Sequence, residues 1–189
     1  MRYEKGRKDE TRGKIIEVAS EHFRGNGVAA SGLAAIMKDA GLTNGAFYPH
    51  FSSKADLVGA CIAAALKQQQ IGFQDILASG GLDAAIAAYL SPEHRDNPEH
   101  GCASAALLPE IAREPVETRD IYTERLMATV QDLSAEIPAA KNAENVVLVL
   151  LATVIGALQM SRAVSDKELS DRILLAGAEA ARQFLAVAK

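Results

Sequence analysis

Within the eight residues TNGAFYPH, Thr43 to His50, the chain gathers a hydroxyl, a carboxamide, a phenol and an imidazole around a glycine. Thr43, Asn44, Tyr48 and His50 can all hydrogen-bond, and the side chains are mostly polar, small or aromatic. Groups that break bonds are harder to find. Beyond residue 60 there is no glycine-rich phosphate loop, no G-x-S-x-G and no H-E-x-x-H. His94 and His100 lie near Asp96 and Glu99 in SPEHRDNPEHG. A metal site could be drawn there, but the Pro-rich polar composition reads as a loop. Cys61 and Cys102 are too few for a disulfide framework or a zinc site. The chemistry on offer is recognition, so neither a cofactor nor an enzyme is expected.

The 189 residues are 49% hydrophobic and only 5% aromatic, with alanine at 35 positions. Alanine has the highest helix propensity, so the composition predicts an all-α protein. The net charge of -4 argues against nucleic acid, but it is unevenly spread. Residues 1–60 hold nine Lys/Arg against seven Asp/Glu, and the remainder eleven against seventeen. Arg2, Lys5, Arg7, Lys8, Arg12 and Lys14 read as a mobile basic arm of the kind that tracks phosphates. The N-terminus lacks the apolar stretch of a secretory signal. The apolar run Val146 to Leu158 is thirteen residues long, short of the roughly 20 of a membrane span. A cytoplasmic protein with no membrane contact is expected.

The elements that must position these groups follow from periodicity and breakers. A first helix is predicted from Glu10 to Arg24, stopped by Gly25-Asn26-Gly27. Ser31 is the candidate N-cap of a short second helix bearing Leu33, Ile36 and Met37 inward. Gly41 ends it, and Thr43 can cap a third helix from Asn44 to His50, with Phe47 and Phe51 in the core. Two short helices meeting at Ala40-Gly41-Leu42-Thr43 form a helix-turn-helix pattern. In that motif the second helix lies in the major groove of DNA, presenting Thr43, Asn44, Gly45, Tyr48, Pro49 and His50. A plain helical hairpin would give the same pattern.

The stretch GVAASGLAAIMKDAGLTNGAFYPHFSSKADL resembles the N-terminal DNA-binding domain of tetracycline-repressor (TetR) family regulators. Ala40, Gly41, Leu42, Thr43, Gly45, Phe47, Tyr48, His50, Phe51, Ser53, Lys54 and Leu57 carry the likeness, which covers roughly residues 10–60. It implies a helix-turn-helix three-helix domain over residues 1–52, followed by a helical effector-binding and dimerisation domain over 53–189. Physical roles can be assigned on that basis. Thr43 and nearby backbone N–H groups would hold a phosphate, Asn44 would read a base edge, and Gly45 would allow close approach. Tyr48, His50 and Lys54 would meet the DNA backbone. Two positions depart from the family pattern: Gly32 and Ala34 stand where a hydroxyl and a polar residue are usual, leaving Ser31 as a shifted cap and contact.

Downstream, helices are predicted from Ser53 to about Ser79, Leu82 to Leu90, Cys102 to Arg113, Val116 to Ile137, Ala143 to Val164 and Asp166 to Val187. Breaks fall at Gly80-Gly81, the SPEHRDNPEHG loop, Pro115, Pro138 and Ser165-Asp166. The 143–164 helix is apolar nearly all round and must be buried on more than one side. It is either a central core helix or, as the resemblance implies, half of a four-helix dimer interface. The candidate interface residues are Val147, Leu151, Val154, Leu158, Ile173, Gly177, Ala180 and Ala181. The resemblance also implies an effector pocket in the middle helices, with Gln69, Phe73, Tyr89, Cys102, Leu107, Tyr122, Leu126 and Gln159 as candidate walls. The expected protein is a homodimeric regulator of double-stranded palindromic operator DNA, a repressor relieved by an unknown small molecule. A helical ligand-binding or scaffolding protein that has lost DNA binding, and a small helical enzyme, are the alternatives.

Overall fold

The computed structural model describes residues 2–137 and 141–188, and the side chains from residue 6 onward within them. The expected break at Pro138 lies outside the described residues. Eight α-helices and no strand occur among those described: α1 (Arg2–Asn26), α2 (Leu33–Asp39), α3 (Lys54–Tyr89), α4 (Pro92–Asp96), α5 (Ala103–Ile111), α6 (Val116–Ala135), α7 (Ala143–Ala163) and α8 (Lys167–Val187). Short 3₁₀ turns occupy Asn44–Ala46 and Pro98–His100.

Two differences from expectation concern helix ends. The basic segment is no arm, because α1 already begins at Arg2. Its Arg, Lys and Glu residues are good helix formers, and Gly6 is the only weak position before Glu10. The SPEHRDNPEHG segment is likewise ordered into α4 and a 3₁₀ turn. Ser91 caps α4 by accepting the His94 N–H at 3.1 Å. The buried Arg95 guanidinium binds Asp96, Ser170 and Asp171, tying this segment to α8. Both ring nitrogens of His94 are engaged with backbone, Nδ1 with Tyr89 O and Nε2 with the Cys102 N–H.

Ser53 caps α3, accepting the Asp56 N–H at 3.1 Å, while the Asp56 carboxylate accepts the Ser52 N–H at 2.9 Å. The break at Gly80-Gly81 is realised as a kink inside this helix, where Gly81 adopts φ 68°. That value suits glycine.

Two cores result. The first joins Ile15, Ala19 and Phe23 of α1 to Ile36, Met37, Phe47 and Phe51. It continues into Leu57, Val58, Cys61 and Ile62 of α3 and Leu107 and Ile111 of α5. The head is therefore welded to the first two turns of α3, past residue 52. The second core contains Ile86, Leu90, Cys102, Val130, Leu133, Val146, Val147, Leu150, Val154, Leu158, Leu174, Ala181 and Leu185. α7 is long and apolar enough, with a mean hydropathy of 1.9 over its best window, to meet the length and composition test for a membrane span. The thirteen-residue run had suggested a shorter apolar segment. One face of α7 is packed in this core against α6 and α8.

Candidate nucleic-acid interface and buried cavity

The turn that precedes the Thr43–His50 segment is built by backbone bonds. Leu42 N–H donates to Met37 O at 2.8 Å and Gly41 N–H to Lys38 O at 2.9 Å, with Gly41 at φ 67°. This is a Schellman stop to α2, and it needs the glycine. The expected third helix is reduced to the 3₁₀ turn Asn44–Ala46 followed by hydrogen-bonded turns to His50. Gly45 and Pro49 both weaken an α-helix there. Phe47 and Phe51 are buried and stacked at 5.5 Å, and the Arg12 guanidinium lies 4.8 Å from the Phe51 ring centre. These anchors push the residues between them outward. Thr43, Asn44, Gly45 and Pro49 are exposed, His50 is half-buried, and Tyr48 is 71% exposed with its ring edge-on to Phe47.

Two candidates are engaged elsewhere. Ser31 is 2% exposed, and its hydroxyl donates to Gly27 O at 2.7 Å and His22 O at 3.0 Å. It neither caps α2, whose N-cap is Gly32, nor reaches the surface. The hydroxyl is buried because the loop folds back on the end of α1, where carbonyls of the helix and of the loop accept from it. Lys54 donates to Val28 O at 2.6 Å with its ammonium 6.0 Å from the Phe23 ring centre, so it braces the head. Missing from the expected set is Lys14, an exposed cation beside the Gly41 turn. It was legible only as part of a charge count, since the pairing of α1 with the turn is tertiary.

Between α3, α5, α6 and α7 lies a cavity of about 70 Å³. Its walls include Gln69, Phe73, Tyr89, Cys102, Tyr122 and Leu126, six of the eight candidate residues. Leu107 turns instead into the first core, because α5 presents opposite faces to the two cores, and Gln159 lies outside the walls. Ser104, Thr129, Leu150 and Ile155 are among the lining residues not foreseen. Gln69 Nε2 donates to Cys102 Sγ at 3.1 Å, and Ser104 Oγ lies 3.2 Å from Tyr122 Oη. Gln69 Oε1 and Tyr89 Oη are buried without partners. Burial first, and then the Cys102 thiol, hold the Tyr89 phenol well above its usual pKa. Burial also raises that of Tyr122. Gln69, Phe73, Ala85, Tyr89 and Cys102 form a shared wall with an open cleft of about 720 Å³ that reaches Ser20 and Arg24 of α1.

The apolar faces of α7 and α8 are divided differently from the expected interface. Val147, Val154, Leu158 and Ala181 are buried within the subunit, and Leu151 lines the cavity. Gly177 sits against Ala157, and Ile173 is half-buried; only Ala180 is exposed. An all-apolar helix carries no polar stripe to say which side faces inward. The uncovered face holds Leu148, Val149 and Met160 of α7, with Leu169, Leu175, Phe184 and Val187 of α8.

Residues 15–61 match the family model described as bacterial regulatory proteins, tetR family. Over 62 residues the chain is 47% identical to the HTH-type transcriptional regulator TtgR of Pseudomonas putida, covering 33% of this chain and 30% of that one. The chain therefore matches less than a third of that relative's length. The fold extends further. A TetR-family transcriptional regulator from Cytophaga hutchinsonii superposes with a TM-score of 0.78 at 19% identity, over 97% of this chain and 96% of that one. The reduced form of E. coli NemR gives 0.76 at 18% identity, over 92% and 96%.

Proposed function

We propose, from the premise that residues 15–61 place this chain in the tetR family of bacterial regulatory proteins, that it is a sequence-specific DNA-binding transcriptional regulator. The observation that carries this reading is the exposed Thr43–His50 segment, held outward by Phe47 and Phe51 and bearing a Tyr48 ring that nothing in the chain covers. Asn44 is the base reader and Thr43 a phosphate contact, while Tyr48, Pro49 and His50 meet the DNA backbone. With Ser31 buried and Lys54 bonded within the head, Arg12 and Lys14 supply the nearby positive charge.

The protein works as a cytoplasmic homodimer, joined through the uncovered faces of α7 and α8, on a palindromic operator. A small molecule in the cavity relieves repression by preferring the conformation that does not fit the operator, since equal affinity for both states would shift nothing. The burial of Ser31 favours one competing reading, a helical ligand-binding protein with no operator. Selection from randomised duplexes with a salt titration separates the two. A palindromic site whose affinity falls steeply with salt is expected, with Asn44→Ala relaxing preference at one base pair. No enriched sequence at low salt would refute the regulator.

A further inference from the structure

The walls of the cavity hold a specific combination of groups. Leu66, Phe73, Ile86, Leu126, Leu133, Leu150 and Ile155 make it mainly apolar, and no Asp, Glu, Lys, Arg or His lines it. A buried carboxylate or ammonium would lose its hydration with no opposite charge to meet it, a cost that pairing alone can offset. A charged ligand is therefore disfavoured at either sign. Two polar atoms on these wall residues remain unsatisfied. The Gln69 Nε2 is engaged with Cys102 Sγ, which leaves Gln69 Oε1 without a partner, and the Tyr89 hydroxyl has none either. An orphaned buried group costs free energy that a ligand hydrogen bond would recover. The phenol is held protonated by its burial, so it can donate, while the free Gln69 Oε1 can accept.

Size adds a constraint. About 70 Å³ is roughly half the engineered apolar cavity of about 150 Å³ that admits benzene. A ring enters only if the wall moves, and one wall is built to move. Between Ile62 and Ala85, α3 has no buried residue. Gln69 and Phe73 lie in that stretch, which Gln70 and Gln74 tie to α6 through Asp132, with the 720 Å³ cleft behind them to receive displaced side chains.

We infer that the cavity takes an uncharged, mainly apolar molecule of about one ring, bearing a hydroxyl that donates to Gln69 and accepts from Tyr89, and that it is admitted by displacement of the Gln69–Phe73 wall. The inference rests on the reading of this cavity as the effector site, yet its test does not involve DNA. Binding of p-cresol, p-xylene, p-toluate and 4-methylbenzylammonium to the full chain is measured by calorimetry. p-Cresol should bind at least tenfold tighter than p-xylene, with no measurable binding of the two ions. Tyr89→Phe and Gln69→Leu should each remove about tenfold of the p-cresol affinity and leave p-xylene unchanged. Their melting temperatures should equal or exceed that of the parent, which separates lost contact from lost fold. Tighter binding of either ion, absence of p-cresol binding at millimolar concentration, or an unaltered preference for p-cresol over p-xylene in Tyr89→Phe would each overturn the inference. If p-cresol binds as expected and DNA affinity is indifferent to it, the regulatory reading fails and the ligand class stands.

Discussion

The uncovered face of α7 and α8 makes the most exacting prediction. Leu175 is 71% exposed and Met160 60% exposed, on neighbouring helices. Burying a leucine side chain contributes about 1.5–3 kcal/mol, and a two-fold axis makes every substitution count twice. Leu175→Glu should therefore weaken the dimer by about 3–6 kcal/mol, which is roughly 10²–10⁴ in dissociation constant, before any cost of burying the new charge. Sedimentation equilibrium over nanomolar to micromolar concentrations measures it, and operator affinity should fall in parallel. The neighbouring Leu174 is 2% exposed and faces the subunit's own core. Leu174→Ala should cost about 2–5 kcal/mol of folding stability with little change in assembly. If Leu175→Glu retains the parental dissociation constant, or if Leu174→Ala is the variant that dissociates, the division of the two faces is wrong.

Other expectations follow from single contacts. A Cβ at Gly177 would lie 2.5 Å from Ala157 Cβ and 3.3 Å from Leu90 Cδ1, and a methyl on a rigid backbone cannot rotate away. Gly177→Ala should lose about 1–2 kcal/mol net of its helix-propensity gain, a fall of about 3–6 °C in melting temperature; a rise would contradict the close crossing of α7 and α8. His94 Nδ1–H donates to Tyr89 O at 2.7 Å, and Nε2 accepts the Cys102 N–H at 2.9 Å, so the neutral ring is the one that fits. Burial lowers its pKa from the ordinary 6.5. The unfolded chain then takes up a proton that the folded one refuses, and stability should decline as pH falls from 6.5 towards the lowered value. Denaturant melts of the parent and of His94→Gln should diverge above pH 6.5 and converge below it. Ser31→Ala removes the one buried hydroxyl donor shared between Gly27 O and His22 O and should cost about 1–3 kcal/mol of stability. At saturating folded protein, its DNA affinity should be unchanged, since the hydroxyl faces inward.

How far the sequence could be read depended on whether a residue's setting was local. The Gly41 stop, the outward Thr43–Tyr48 run and the buried Phe47 and Phe51 are decided by neighbours within a few positions, and they were legible. So were six cavity residues, because polar or aromatic side chains at Gln69, Phe73, Tyr89 and Tyr122 stand out on otherwise aliphatic helices. Arg95 was not, since its burial depends on Ser170 and Asp171 some 75 positions away. Ser31 looked like a cap because Ser types usually are, yet the carbonyls of His22 and Gly27 captured it first. On α7 the pattern called for burial on more than one side, whereas the chain packs one face and leaves Leu148, Val149 and Met160 exposed. Small size at Gly177 signalled a close crossing, but the helix it meets belongs to the same subunit.

The same distribution of packing bears on how a ligand could be felt at the reading segment. α3 belongs to both cores, through Leu57–Ile62 at one end and Ala85–Ile86 at the other. Its middle is the cavity wall, tied to α6 where Gln70 and Gln74 Nε2 donate to Asp132 Oδ2 at 2.6 and 3.0 Å. The head is fixed to the body at a second point, where Arg24 Nε donates to Glu99 O at 2.6 Å. From Glu99 the chain runs through Gly101 to Cys102, the partner of Gln69. A ligand that replaces the Gln69–Cys102 bond would act on α3 and on the segment that leads from Cys102 back to Glu99. Coupling of this kind needs a segment whose two arrangements differ little in energy, because a ligand can shift the balance only by its own preference between them. A well-buried α3 would bind as tightly and transmit nothing. On the proposed reading, the stretch between Ile62 and Ala85, which has no buried residue, is where α3 would have to yield to a ligand.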